Sequence, residues 1–164
     1  MTLRIIATGG TFDKHYDALA GELTFAASHL PDIVKRCRLT VPVVIEELPL
    51  LDSLDMLDAD RERVLASCLK SEERAIVVVH GTDTMSNTAA LLGPKMAGSK
   101  ATVVLMGAMV PYAVRGSDAL FNLGFACAAS QMQKPGVYIA MNGRVFDWHA
   151  VEKNRAMGVF QTIG

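Results

Sequence analysis

At 164 residues, 51% of them hydrophobic and 20% charged with a formal net charge of −1, the chain is expected to fold as one soluble globular domain spanning 1–164. The near-neutral balance excludes a nucleic-acid surface built on a basic excess, and no apolar run approaches the ~20 residues of a membrane span. The three cysteines, Cys37, Cys68 and Cys127, are far apart and set in apolar patterns, so they read as reduced core thiols of a cytoplasmic protein without metal-ligand spacing.

In chain order, an apolar strand is expected over 3–8 directly after the first residues, a start expected to be too short for a signal peptide. That strand stops at Thr8-Gly9-Gly10-Thr11, where paired glycines allow backbone N–H groups to face a cavity. A polar loop follows to Gly21, carrying Asp13, Lys14, His15, Tyr16 and Asp17; it exceeds the usual 2–6-residue connection and has the length of a lid. A helix is expected over 27–38, with Ser28 as cap and Pro31 in the first turn. A strand follows over 39–48, near an edge or starting after Pro42, and exits through Asp52-Ser53-Leu54-Asp55. The amphipathic helix over 58–71 turns its charges to solvent.

The most informative stretch is Ala75-Ile76-Val77-Val78-Val79-His80-Gly81-Thr82-Asp83-Thr84. Its short β-branched run reads as a buried parallel strand, and the polar residues after it serve either as helix caps or as pocket residues. A helix over 84–97 is ended or kinked by Pro94. A buried strand over 101–106 exits through Gly107-Ala108-Met109. Then come a helix over 116–132 capped at Ser117, a strand over 137–141, and a hairpin at Asn142-Gly143 folding 144–148 back. The remainder has little periodicity. Alternating strands and helices predict an α/β fold, a three-layer doubly wound, mostly parallel sheet of the Rossmann or flavodoxin-like kind. Four polar exits then share one sheet edge, the place where ligands bind in such folds. They hold hydroxyls, acids and backbone N–H groups, but no phosphate loop, dinucleotide fingerprint or nucleophile elbow.

Thr8-Gly9-Gly10-Thr11 and His80-Gly81-Thr82-Asp83-Thr84-Met85, in that order and each at a strand exit, resemble the two signature motifs of the bacterial-type L-asparaginase family. Gly107-Ala108-Met109, Phe121-Asn122-Leu123 and the stretch from Met141-Asn142 to Lys153 resemble the same family. The resemblance covers nearly the whole chain but only the larger N-terminal domain of two-domain members. It implies hydrolysis of L-asparagine to aspartate and ammonia, without cofactor or metal, through an acyl-enzyme on Thr11. Tyr16 matches the activating loop tyrosine, which lies further along the loop in two-domain members. Thr82, Asp83 and Lys153 match a supporting triad. Ser53 matches the residue that binds the substrate α-carboxylate, with Gly10, Gly81 and Ala108 as further substrate-binding positions. Leu54 stands where the family usually has glutamine, which removes one polar contact to the substrate amino group.

The chemistry fits those residue types. A threonine hydroxyl becomes a nucleophile only beside a positioned base. Lys153 would orient the second threonine, and Asp83 can pair both with it and with a substrate ammonium. Backbone N–H groups near Thr11 and Thr82 would receive the oxyanion. His80 is expected to satisfy backbone and not to act as a base. Two other classes stay open: a non-catalytic amino-acid-binding or regulatory module, and an amide-handling subunit of an amidotransferase. A homo-oligomer is expected, closing a pocket that a second domain would otherwise cover.

Overall fold

The computed structural model describes residues 1–163. Its strands are β1 (Leu3–Gly9), β2 (His15–Asp17), β3 (Glu22–Thr24), β4 (Val43–Leu51), β5 (Ala75–Val79), β6 (Thr102–Met106), β7 (Gly136–Met141), β8 (Arg144–Asp147), β9 (Val151–Asn154) and β10 (Val159–Thr162). The helices are α1 (Leu30–Arg36), α2 (Asp58–Lys70), α3 (Met85–Lys95) and α4 (Ala119–Met132), with a 3-10 turn at Thr11–Asp13. Six strands form the main sheet in the order β4-β1-β5-β6-β7-β8. All neighbours pair parallel except β8, which folds back on β7.

The unbroken apolar runs of β5 and β6 are buried on both faces, as a central parallel strand requires. Residues of alternate parity go to opposite sides. Ile76, Val78, Val103 and Leu105 pack on α2 and α3, whereas Val77, Val79, Val104 and Met106 pack on α1 and α4. Burying each such side chain contributes about 1.5–3 kcal/mol against the entropy of ordering it. The result is the expected three-layer α/β fold. At the Asn142-Gly143 turn both residues have positive φ, 56° and 72°, the conformation of a two-residue type I′ hairpin.

Several local expectations are corrected. The loop after β1 is not irregular: it forms the 3-10 turn and the β2–β3 hairpin, with the Asp17 carboxylate accepting the Leu19 and Ala20 N–H groups at the bend. Its strands are three residues long, too short for alternation to show. The first helix begins at Leu30 and not at 27, because the Ser28 and His29 amides are bound by Glu47 and Asp13. The second strand lies on the sheet edge and begins after Pro42, as expected, but it runs on from Val43 to Leu51, past the expected end at 48, and Pro49 there deprives no neighbour of a donor. The last helix starts at Ala119 with Asp118 in the N-cap position, while the expected Ser117 supplies the side-chain oxygen that accepts the Ala119 N–H at 3.0 Å. The tail forms the β9–β10 hairpin. Cys37 is exposed, unlike Cys68 and Cys127. Arg61 of α2 is buried, not solvated, and donates to the Met56 carbonyl and Thr84 Oγ1.

Candidate active site

Taken in chain order, the five parallel strands lie 2-1-3-4-5, so the direction of winding reverses between β1 and β5. The crevice beyond the ends of those two strands is the topological switch point. The chain leaves β1 through Gly10-Thr11 and β5 through His80-Gly81-Thr82.

Bare backbone lets these exits touch. Gly10 has φ 72°, and a Cβ there would lie 2.4 Å from the Cα and N of Gly81. One on Gly81 would lie 2.6 Å from Ser53 Cβ, and one on Gly107 would lie 2.4 Å from the His80 carbonyl. No side chain larger than hydrogen fits at these contacts. The exits of β1, β4, β5 and β6 are thereby stacked, with the Gly10 backbone on Gly81, Gly81 on Ser53, and Gly107 beside His80 and Thr82. The Gly10 N–H is fixed by the Leu51 carbonyl at 2.8 Å.

Thr82 and Asp83 meet Lys153 across this edge. Lys153 Nζ donates to Thr82 Oγ1 at 2.7 Å and to Asp83 Oδ1 at 2.9 Å. The lysine side chain is only 8% exposed. It reaches this point because β9 is anchored: Val151 and, on β10, Phe160 are buried in the core, and Phe160 pairs with Lys153. Thr82 Oγ1 turns its own proton toward Met109 Sδ at 3.8 Å. Arg155 Nε lies 3.8 Å from Asp83 Oδ1. Thus a hydroxyl and a carboxylate from mid-chain and an ammonium 70 residues beyond the carboxylate form one part-buried cluster.

The floor of the cluster is fully paired. His80 is entirely buried; its Nδ1 faces the Gly81 carbonyl at 2.7 Å and its Nε2 faces Thr88 Oγ1 at 2.8 Å. Burial pushes its pKa down to about 4, since no countercharge replaces the lost water. It is a neutral strut for the Gly81 turn. Ser53 Oγ accepts the Thr84 N–H, and Thr84 Oγ1 donates to the Ser53 carbonyl, which binds the β4 exit to the start of α3. Lys14 pairs with Asp52 at 2.7 Å. Burial works to raise the Asp52 pKa, but the Lys14 contact and the Leu54 N–H outweigh it and hold the carboxylate below its ordinary range.

On the opposite side the arrangement is looser. Thr11 opens the 3-10 turn and is partly exposed, above buried Phe12 and Asp13. Tyr16 lies on β2 opposite Leu23 and is 65% exposed. Its hydroxyl has no hydrogen-bond partner among the described residues. The structure therefore assembles Gly10, Gly81, Ser53, Thr82, Asp83 and Lys153 at the crevice, has Thr11 follow Gly10 in the turn that abuts Gly81, buries the expected substrate-binding Ala108 side chain in the core at the β6 exit, and leaves Tyr16 out on the hairpin.

Sequence reasoning passed over Met109, Arg155 and the Lys14–Asp52 pair at this site. It also missed the Asp118 carboxylate, which accepts the Met109 and Val110 N–H groups and the Asn122 side-chain amide, while that same amide donates to the Gly107 carbonyl. The one available signal was the Asp118–Asn122 spacing of four on a helix. Among the described residues, no group of three or more His, Cys, Asp or Glu side chains is arranged to hold a metal ion, and no helix is long and apolar enough to cross a membrane.

Residues 2–162 match the family model described as Asparaginase, N-terminal. One of the subunits of a glutamyl-tRNA(Gln) amidotransferase from Pyrobaculum aerophilum is 33% identical over 132 residues, covering 77% of this chain and 31% of that protein. An L-asparaginase from Thermococcus kodakarensis is 26% identical over 175 residues, covering 99% of this chain and 51% of the relative. The solved structure of the thermostable L-asparaginase from Thermococcus kodakarensis superposes with a TM-score of 0.89 at 27% identity, over 99% of this chain and 51% of that one. A probable cytoplasmic L-asparaginase from Campylobacter jejuni superposes with a TM-score of 0.82, also at 27% identity, over 98% of this chain and 52% of that one. The chain spans about half the length of these L-asparaginases and about a third of the amidotransferase relative.

Proposed function

This chain belongs to the asparaginase family, and on that premise we propose that it is a cytoplasmic amidohydrolase that converts L-asparagine to L-aspartate and ammonia through a threonine acyl-enzyme. The observation that carries this reading is the Lys153 ammonium joined to both Thr82 Oγ1 and Asp83 Oδ1, on the Gly81 turn that the Gly10-Thr11 turn abuts. A surface lysine in an irregular tail has no reason to be withdrawn from solvent against a hydroxyl and a carboxylate.

In the proposed reaction the substrate amide lies between the Gly10-Thr11 and Gly81-Thr82 turns. Thr11 Oγ attacks the side-chain amide carbon as the Tyr16 hydroxyl, brought in by the hairpin, takes up the threonine proton and passes its own on toward the leaving nitrogen. The amide oxygen gains negative charge and is met by backbone N–H groups of the glycine turns. The C–N bond breaks, the nitrogen takes up a proton, and ammonia leaves. Water then hydrolyses the Thr11 ester. Thr82, oriented by Lys153, directs proton traffic to the leaving nitrogen and from the water. Ser53 receives the α-carboxylate and Asp83 the α-ammonium.

Ammonia release from L-asparagine by the purified chain tests this directly. Thr11→Ala and Lys153→Ala are each expected to lower the rate by about 10²–10⁴-fold. Full activity in Thr11→Ala would remove the proposed nucleophile. A second reading rests on the 33% identity to part of an amidotransferase: an amide-handling subunit that turns over only beside a partner chain. Ammonia release that appears only after a partner is added would favour it, and aspartate binding without turnover would favour a non-catalytic binding module. The same proposal includes a homo-oligomer, because Leu19, Leu54, Phe121, Met132 and Met157 stand largely exposed. Sedimentation as a fully active monomer would contradict that part.

A further inference from the structure

Asp13 lies two residues after Thr11, and the sequence alone makes it a polar residue of a solvated loop. It is instead completely buried. Its Oδ1 accepts the Ser28 hydroxyl at 2.9 Å and the His29 N–H at 2.9 Å, and its Oδ2 lies 3.1 Å from the same hydroxyl. Ser28 is itself tied down: its N–H donates to Glu47 of β4, and its oxygen accepts the Leu30 N–H at the start of α1. The carboxylate therefore fastens the 3-10 turn that opens with Thr11 onto the first turn of α1 and, through Ser28, onto the sheet edge.

The turn has other attachments, among them the Lys14–Asp52 ion pair at its end. Phe12 fills the core, and its carbonyl accepts the Tyr112 N–H in the loop before α4. The Gly10 N–H is bound to Leu51. Asp13 supplies the buried carboxylate of this set, immediately before Lys14 and the hairpin. Around it stand Glu47, and His15 and His29, whose ring centroids lie 3.9 Å apart with the planes tilted by 31°, and the Tyr112 ring lies 5.1 Å from that of His29. The nearest partners of the carboxylate are a neutral hydroxyl and an amide, so its burial is not offset by a bonded cation, and desolvation raises its pKa. A buried acid with that penalty is an unfavourable tether unless the geometry it holds matters.

We propose that Asp13 is a positioning residue for Thr11: its two accepted hydrogen bonds hold the Thr11–Asp13 turn on α1 and so aim the Thr11 hydroxyl at the crevice. This rests on the reading of Thr11 as nucleophile. The role requires an acceptor oxygen and not a charge, so asparagine should serve in its place.

The test compares Asp13→Ala, Asp13→Asn and Ser28→Ala in the full chain, assayed well below each variant's melting temperature. Asp13→Ala is expected to lower kcat with L-asparagine by about 10–100-fold, as a misplacement of about 1 Å does, with KM changed less than about threefold. Asp13→Asn should recover kcat to within about threefold of the parent, and Ser28→Ala should fall between. Hydrogen exchange gives a readout independent of turnover: amides of residues 11–14 should lose protection in Asp13→Ala and keep it in Asp13→Asn, with β5 and α3 unchanged. Unchanged kcat and unchanged protection in folded Asp13→Ala would overturn the proposal, as would an Asp13→Asn as impaired as the alanine. If the parent chain releases no ammonia, the amidohydrolase reading fails, and exchange at residues 11–14 still decides whether Asp13 holds the turn.

Discussion

Around Thr82, an ammonium, a carboxylate and a thioether are already in place, and the lysine that joins them is almost out of solvent. Around Tyr16, five residues beyond Thr11, a three-residue strand stands on a two-stranded hairpin with its ring mostly in water. The two halves of the site are built on different supports. The first sits at the end of β5, buried on both faces, and is braced by His80 and the β9–β10 hairpin. The second hangs from a 3-10 turn held by Asp13, and a lone hairpin of this size is marginal in water. The lesson is that the Thr82–Asp83–Lys153 cluster is preorganised, whereas the tyrosine proposed to activate Thr11 stands apart on a hairpin that must bring it in.

The largest effect should come from the preorganised half. Lys153→Met keeps the volume and removes the cation, so ammonia release should fall by about 10³-fold while the melting temperature changes little. A loss below about tenfold would mean that the buried lysine is only a tether for β9. Next is the neutral strut. His80 has an ordinary value of 6.5 and about 4 in the fold, so the unfolded chain takes up its proton first as pH falls. Stability present above pH 6.5 is then lost between about 6.5 and 4, amounting to about 3 kcal/mol at about 1.36 kcal/mol per unit. Denaturant unfolding across that range measures it, and His80→Gln should flatten the slope. An unchanged slope would show that other groups set the acid limb.

Gly10→Ala probes the seam between the halves. It forces a Cβ toward the Gly81 backbone at a positive φ, and should cost about 2–3 kcal/mol and most of the activity. Wild-type stability would show that the two turns can part without penalty. The smallest stability effect belongs to Tyr16→Phe, within about 0.5 kcal/mol because the hydroxyl is unpartnered among the described residues. Its kcat should nevertheless fall by at least about tenfold if the hairpin delivers the base. Unchanged kcat would leave Thr11 with a different activator and make the hairpin a mere appendage.

What the sequence made legible divides along the same line. The buried strands announced themselves through runs such as Ile76–Val79, because burial on both faces leaves no room for polar alternation. The Gly-Thr exits were legible because close backbone approach demands glycine. The β2–β3 and β9–β10 hairpins were not, since strands of three or four residues at the surface carry no periodic burial. Asp13 could not be read at all: its partners Ser28 and His29 lie 15 and 16 residues away, and only the folded turn brings them together. Arg61 misled for the converse reason, sitting in a charged helix yet facing Thr84. Met109 was in view as part of a strand exit, but its contact with Thr82 depends on Asp118 holding the loop.

The most direct test of the convergence of these halves is a crystal structure with L-aspartate bound. The expected result is one aspartate in the crevice between the Gly10-Thr11 and Gly81-Thr82 turns, its side-chain carboxyl within reach of both threonine hydroxyls and its α-carboxylate on Ser53. Aspartate bound away from that crevice, or touching Thr82 while Thr11 stays beyond contact distance, would contradict it.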